Sequence, residues 1–218
     1  ALIGEMSTRI AHEIKNPLAS IQTGIQLLES QLEEGSSVKN YYERLRTEIQ
    51  RVDKILKGLL AYAREDELEY QNVELDQFVL HFETMLQPTL NKNQLKLIIE
   101  KDKEAEYFYL DPNKMEQVLW NIILNAAQAS PAGGTIYFMI KRFDDGINMI
   151  VRDEGEGIPA KILPKLFTPF FSTRAQGSGL GLAISKKIVE LHEGNLKIES
   201  KVNEGTEVRI YIPGRKNR

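Results

Sequence analysis

Apolar residues recur with 3-4 spacing at Leu18, Ile21, Ile25, Leu28 and Leu32, and Met6, Ile10 and Ile14 carry the same stripe backwards. That periodicity predicts one long amphipathic helix. The segment EEGSS (33–37) interrupts it, and a second stripe runs through Leu45, Ile49, Val52, Leu56, Leu59 and Ala63. The two stripes predict a helical hairpin. A lone hairpin leaves much of each stripe wet. Pairing two hairpins into a four-helix bundle covers it, at about 1.5–3 kcal/mol per fully buried aliphatic side chain, so a homodimer through this hairpin is expected. The stripe is already running at Leu2 with no capping residue ahead of it, which suggests a helix beginning before Ala1 and a longer parent protein.

A polar stretch, REDELEYQN (64–72), separates the hairpin from a second region. The expected division is 1–67, a linker at 68–73, and 74–218. The pattern then predicts a helix near 76–92, strands near 95–100 and 107–110, and a helix opened by the cap Asp111 and a first-turn Pro112. Strands near 135–142 and 147–152 follow. A helix near 180–192, closed by Gly194, leads to a hairpin pairing 195–202 with 206–212 around Asn203-Glu204-Gly205. Strands come in adjacent pairs rather than alternating with helices. The expected fold class is therefore α+β: a helical hairpin, dimeric as a four-helix bundle, followed by a two-layer α/β sandwich.

Composition narrows the chemistry. A formal net charge of -3 gives no electrostatic reason to expect nucleic acid as partner, and with no cysteine there are no disulfides and no thiolate sites. No apolar run approaches the length that spans a bilayer, so a membrane is expected only through a missing N-terminal region. A cytoplasmic catalytic portion fits this picture. His81 reads as a surface position, and His192 suits the negative end of a helix dipole.

His12 stands in AHEIKNPL (11–18). On a helical wheel it points away from the apolar stripe, with Asn16 above it on the same face and Glu13 on its flank. Pro17 removes the partner of the residue-13 carbonyl at a cost of about 3 kcal/mol, so the helix is expected to bend beside His12. An exposed histidine taken alone is usually inert.

The C-terminal region supplies the context. It has no G-x-x-x-x-G-K-[ST] segment, and although DEGEGIPA (153–160) contains G-x-G-x-x-A, Pro159 and the lack of a following βαβ pattern argue against a dinucleotide fingerprint. Four segments occur in order: NIILNAAQA (121–129), DEGEG (153–157), FTPFF (167–171) and GSGLGL (177–182). Asn121 and Asn125 lie one turn apart on a helix edge whose other face, Met115, Val118, Ile122 and Ala126, is apolar; their amide oxygens suit a hard cation such as Mg²⁺. Asp153 at a strand end can accept from an exocyclic amine such as that of adenine. Gly155 and Gly157 allow close backbone approach to a flat ring, and the alternating glycines lead into a helix N-terminus that favours phosphate.

In combination these segments resemble the sensor histidine kinases: AHEIKNPL the H box, NIILNAAQA the N box, DEGEG the G1 box, FTPFF the F box and GSGLGL the G2 box. The resemblance implies a dimerisation and phosphotransfer hairpin followed by a catalytic ATP-binding domain of the Bergerat fold. It further implies that His12 is phosphorylated by ATP, that Glu13 orients the imidazole or takes its proton, and that Asn16 serves dephosphorylation of a response regulator receiver domain. Asn125 would hold Mg²⁺, with Asn121 and Lys114 near the phosphates and Asp153 reading the adenine. Gly155, Gly157, Ile158, Phe167 and Thr206 would bind nucleotide. So would the lid residues Thr173 and Arg174 and the run Gly177, Ser178, Gly179, Leu180, Gly181 and Leu182. Gln128 departs from the family, where many relatives carry a lysine.

Three other readings fit these residues less well. A hydrolytic ATPase of the same superfamily carries a glutamate four residues before the metal-binding asparagine, and Asn121 cannot act as that base. A nucleotide-regulated dimeric binding module leaves the H-E-x-x-N-P constellation unexplained. A serine kinase of the anti-sigma type lacks a histidine hairpin.

Overall fold

The computed structural model describes residues 21, 23–26, 37–63, 67–174 and 178–214. His12, Glu13, Asn16 and Gly177, and the expected bend at Pro17, lie outside them. The chain divides into two compact units, residues 1–66 with 168–181, and residues 67–167 with 182–218.

In the first unit, residues 21 and 23–26 are helical (α1) and α2 runs over Ser37–Ala63. Ile25, Ile49 and Leu56 of the predicted stripes are buried, whereas Ile21 and Val52 are exposed in the single chain.

In the second unit, β1 (Gln71–Glu74) pairs antiparallel with β3 (Tyr107–Leu110) as a separate two-stranded sheet. The main sheet has the order β2-β4-β5-β7-β6, built from β2 (Lys96–Lys101), β4 (Thr135–Phe143), β5 (Gly146–Asp153), β6 (Asn195–Lys201) and β7 (Gly205–Ile212). All its pairs are antiparallel except β2 with β4, which is parallel with Lys96 opposite Thr135. The helices are α3 (Leu75–Asn93), α4 (Pro112–Ala129) and α5 (Gly181–Leu191). Fold class α+β holds.

Helix α3 forms because Leu75, Phe78, Phe82, Leu86 and Leu90 fall on one stripe and are all buried, Phe82 meeting Phe138 of β4 edge-on at 6.3 Å. Asp111 caps α4 as expected, its carboxylate accepting from the Lys114 amide at 3.0 Å, with Pro112 in the first turn. Met115, Val118, Ile122 and Ala126 turn inward, and α4 packs against α3, β4, β5 and β7.

Three expectations change. The stretch 64–72 includes the start of a strand, β1, whose QNVE sequence has no apolar alternation; main-chain pairing and the stacking of Tyr70 on Tyr109 at 5.3 Å hold it instead. Strands β2 and β3 are not partners of each other, since each pairs outside the order of the chain. Gly194 is not the left-handed residue that ends α5; Glu193 is, at φ 60°, and Gly194 is needed because a Cβ there would collide with the Tyr211 carbonyl.

Candidate functional site

In the second unit Asp153 and the DEGEG turn lie at one end of the sheet, where the turn meets the end of α4 at Ala129, the helix that carries Asn121 and Asn125. Because the apolar face of α4 is spent on the core, Asn121 and Asn125 are left half-buried one turn apart, and the Asn121 amide donates to Ser185 Oγ of α5 at 3.4 Å. Lys114 is half-buried on the first turn of the same helix and Gln128 is exposed near its end.

Asp153, the last residue of β5, is only 5% exposed. Its Oδ1 accepts from the amides of Gly155 at 2.9 Å and Thr206 at 3.2 Å, which fixes the carboxylate at the strand end. The following turn closes over α4, since the Glu156 amide donates to the carbonyl of Ala129 at 3.2 Å. A Cβ on Gly155 would strike that same carbonyl. Gly157 lies at φ 67°, where a Cβ would strike the Lys201 carbonyl. Both glycines are thus demanded by close approach to the protein's own backbone. Ile158 donates its amide to Ser200 Oγ at 2.8 Å. Asp153, Thr206 and Ser200 form a row across β5, β7 and β6 in register.

Beside this row a depression of about 320 Å³ is lined by Asp153, Ser200, Gly205 and Thr206, with Glu199, Glu204 and Glu207 among its rim residues. Arg152 and Lys201 line it as well, and the three carboxylates are paired, Glu204 with Lys201 and Glu199 and Glu207 with Arg209. Phe167 and Leu182 are half-buried in the same unit, with the Lys186 ammonium 5.2 Å from the centre of the Phe167 ring.

The remaining expected residues, Thr173, Arg174, Ser178, Gly179, Leu180 and Gly181, belong to the first unit. There the segment is pinched by the Phe170 amide donating to the Gly179 carbonyl at 3.0 Å, with Gly179 at φ 68°. The Arg174 amide donates to Ser172 Oγ at 3.1 Å, and Leu180 donates its amide to Ser178 Oγ at 3.4 Å. Leu180 is buried, and a Cβ added to Gly58 of α2 would lie 2.7 Å from its Cδ1. Thr173 is exposed.

Among the described residues no cluster of three or more His, Asp or Glu side chains suits a metal ion. Asn125 fits a cation that arrives with most of its other ligands, as Mg²⁺ does on phosphate oxygens and water. Among the same residues no helix is long and apolar enough to cross a membrane. Sequence reasoning missed the buried Ser185 and the hub at Ser200, because Ser185 acts on Asn121, 64 positions away, Ser200 joins its hairpin neighbours to the Ile158 amide, 42 positions away, and neither sits in a recognisable motif. His192 lies at the end of α5 as expected, and its ring is buried there and bonded to the Asp111 amide.

Residues 2–68 match the model of the His Kinase A (phospho-acceptor) domain, and residues 110–216 match that of the histidine kinase-, DNA gyrase B- and HSP90-like ATPase. Sporulation kinase E of Bacillus subtilis is 32% identical over 99% of this chain, and the signal transduction histidine-protein kinase AtoS of Escherichia coli is 32% identical over 98%. The chain spans 29% of the former and 35% of the latter. The histidine kinase ThkA, solved in complex with the response regulator protein TrrA, is 28% identical with a TM-score of 0.72, the match covering 98% of this chain and 62% of that one. Full-length ShkA in complex with AMPPNP shares the fold, at TM-score 0.81 and 19% identity over 98% of this chain and 46% of that one.

Proposed function

This chain belongs to the sensor histidine kinases, and from that premise we propose that it is a protein-histidine kinase that phosphorylates His12 from ATP and passes the phosphoryl group to an aspartate of a response regulator. The same reading has it remove phosphate from that partner, with Asn16 serving the dephosphorylation. Its domains are a dimerisation and phosphotransfer hairpin followed by a catalytic domain that includes β1, lying in the cytoplasm.

One observation carries the reading: a phospho-acceptor domain and an ATPase domain follow each other on one chain, and the second ends a central strand in the buried carboxylate Asp153. A carboxylate held by two backbone amides is a fixed acceptor, suited to an exocyclic amine of adenine. The amide edge of Asn121 and Asn125 would face the phosphates, Asn125 holding Mg²⁺ and Lys114 adding positive charge. Bound there, the ion would neutralise charge on the phosphate oxygens. Neutral imidazole is a competent nucleophile near pH 7, the role His12 would play, with Glu13 orienting it or taking its proton. Arg174, Thr173 and the Gly177–Leu182 run would serve as the lid. Exposure of Ile21 and Val52 on the hairpin stripe supports a homodimer.

Asn121 supports transfer over hydrolysis, because an amide cannot take a proton from water at the position where hydrolytic relatives carry glutamate. Incubation with γ-labelled ATP and Mg²⁺, followed by mapping of acid-labile phosphate, tests the reading. Label on His12 is expected. Vigorous ATP turnover by His12→Gln without label would favour the hydrolytic class.

A further inference from the structure

We propose that Ser200 is a positioning residue that fixes the hydroxyl proton of Thr206, and that this makes the base-reading wall select a 6-amino purine over a 6-oxo purine. The proposal rests on Asp153 being the base contact.

Ser200 Oγ meets three groups. The Ile158 amide donates to it at 2.8 Å, the Gly205 carbonyl lies 2.8 Å away, and Thr206 Oγ1 lies 2.9 Å away. A serine hydroxyl has one proton and two lone pairs. The Gly205 carbonyl has no proton to give, so the Ser200 proton goes to it. The Ile158 N–H takes one lone pair, and only the other faces Thr206. The Thr206 hydroxyl is therefore the donor of that bond, and the alternative would set lone pair against lone pair.

Both protons of Thr206 are then held within the protein, because its backbone amide already donates to Asp153 Oδ1 at 3.2 Å. What the Thr206 hydroxyl can offer a ligand is acceptor lone pairs, and its neighbour in register is the Asp153 carboxylate. A wall of acceptors welcomes an amino group and opposes a carbonyl, since an oxygen facing it leaves buried acceptors unpaired. Ser200 acts through Thr206 and through the turn at Ile158, without touching the base itself.

Displacement of trinitrophenyl-ATP from the 218-residue chain by ADP and by IDP, which exchange an amino group for a carbonyl at the purine 6-position and a bare N1 for a protonated one, reads the effect, the 6-substituent being the group set against Asp153 and Thr206. Wild type is expected to prefer ADP. Ser200→Ala frees the Thr206 proton to turn toward the ligand, and the ADP-to-IDP preference should fall roughly tenfold, about the worth of one hydrogen bond. Ser200→Thr keeps a hydroxyl and should restore the preference. Thr206→Val, which removes the hydroxyl at nearly constant shape, should lower it as Ser200→Ala does and serves where Ser200→Ala fails to fold. Equal loss of ADP and IDP affinity in Ser200→Ala, or an unchanged preference in Thr206→Val, overturns the proposal. Retention of the preference in Asp153→Asn would instead overturn the reading of Asp153 as the base contact.

Discussion

His192 Nε2 accepts the backbone N–H of Asp111 at 3.1 Å, while its Nδ1 lies 2.8 Å from the carbonyl of Ile188. A nitrogen that accepts an amide proton carries none of its own, so the ring is neutral, with its proton on Nδ1 facing Ile188. The bond joins the cap of α4 to the turn that ends α5. Replacing His192 with alanine strands the buried Asp111 amide, and a loss of about 1–3 kcal/mol is expected in thermal or urea melting. Glutamine, which keeps an acceptor, should lose less; equal losses would mean that ring volume rather than the hydrogen bond matters.

Asp111 divides its carboxylate, Oδ1 to the Lys114 amide at 3.0 Å and Oδ2 to the Glu69 amide at 2.9 Å. Helix start and incoming strap thus share one side chain. Asp111→Ala should remove about 0.5–2 kcal/mol of capping energy and accelerate hydrogen exchange at both amides. Faster exchange at Lys114 alone would show that Glu69 is held by something else.

Gly157 and Gly58 predict opposite tolerances. An alanine at 157 meets a positive φ and the Lys201 backbone, neither of which can give, and should cost about 1–3 kcal/mol together with loss of nucleotide binding. At 58 the new methyl meets the end of the flexible Leu180 side chain, 2.7 Å away, which can rotate. Melting temperatures should therefore fall much further for Gly157→Ala than for Gly58→Ala.

His12→Gln should abolish acid-labile labelling from ATP while leaving displacement of trinitrophenyl-ATP unchanged, because the proposed nucleotide contacts lie in the C-terminal domain. Asn125→Ala should weaken Mg²⁺-dependent labelling. A mixed dimer of the two variants then distinguishes transfer within a protomer from transfer between protomers: only the second gives label, on the protomer that keeps His12.

Where the chain's own periodicity sets the outcome, the sequence is legible. The Leu75–Leu90 stripe, the Asp111-Pro112 start of α4 and the β6–β7 hairpin each follow from local chemistry, and the structure has them within a residue or two of the expected limits. Pairing between distant segments is not written locally. Strand β1 owes its existence to β3, and Gly194 answers to the distant Tyr211 carbonyl as well as to α5, whose last turn its amide closes on Val189 at 2.9 Å. The site divides the same way: Asp153 and the asparagine edge are visible from residue type and spacing, while Ser200 matters only through neighbours supplied by a loop and another strand.

The parallel pairing of β2 with β4 has a consequence for synthesis. A chain emerging from the ribosome must release β3 and all of α4 before Thr135 arrives opposite Lys96, so β2 waits without its neighbour β4 in the main sheet. Such a waiting strand invites mispairing with other nascent chains, and Ile98, exposed even in the finished fold, adds to the hazard. Lys96, Glu100 and Lys101 place charge along the orphan edge, so that the interval is survived in solution rather than in an aggregate.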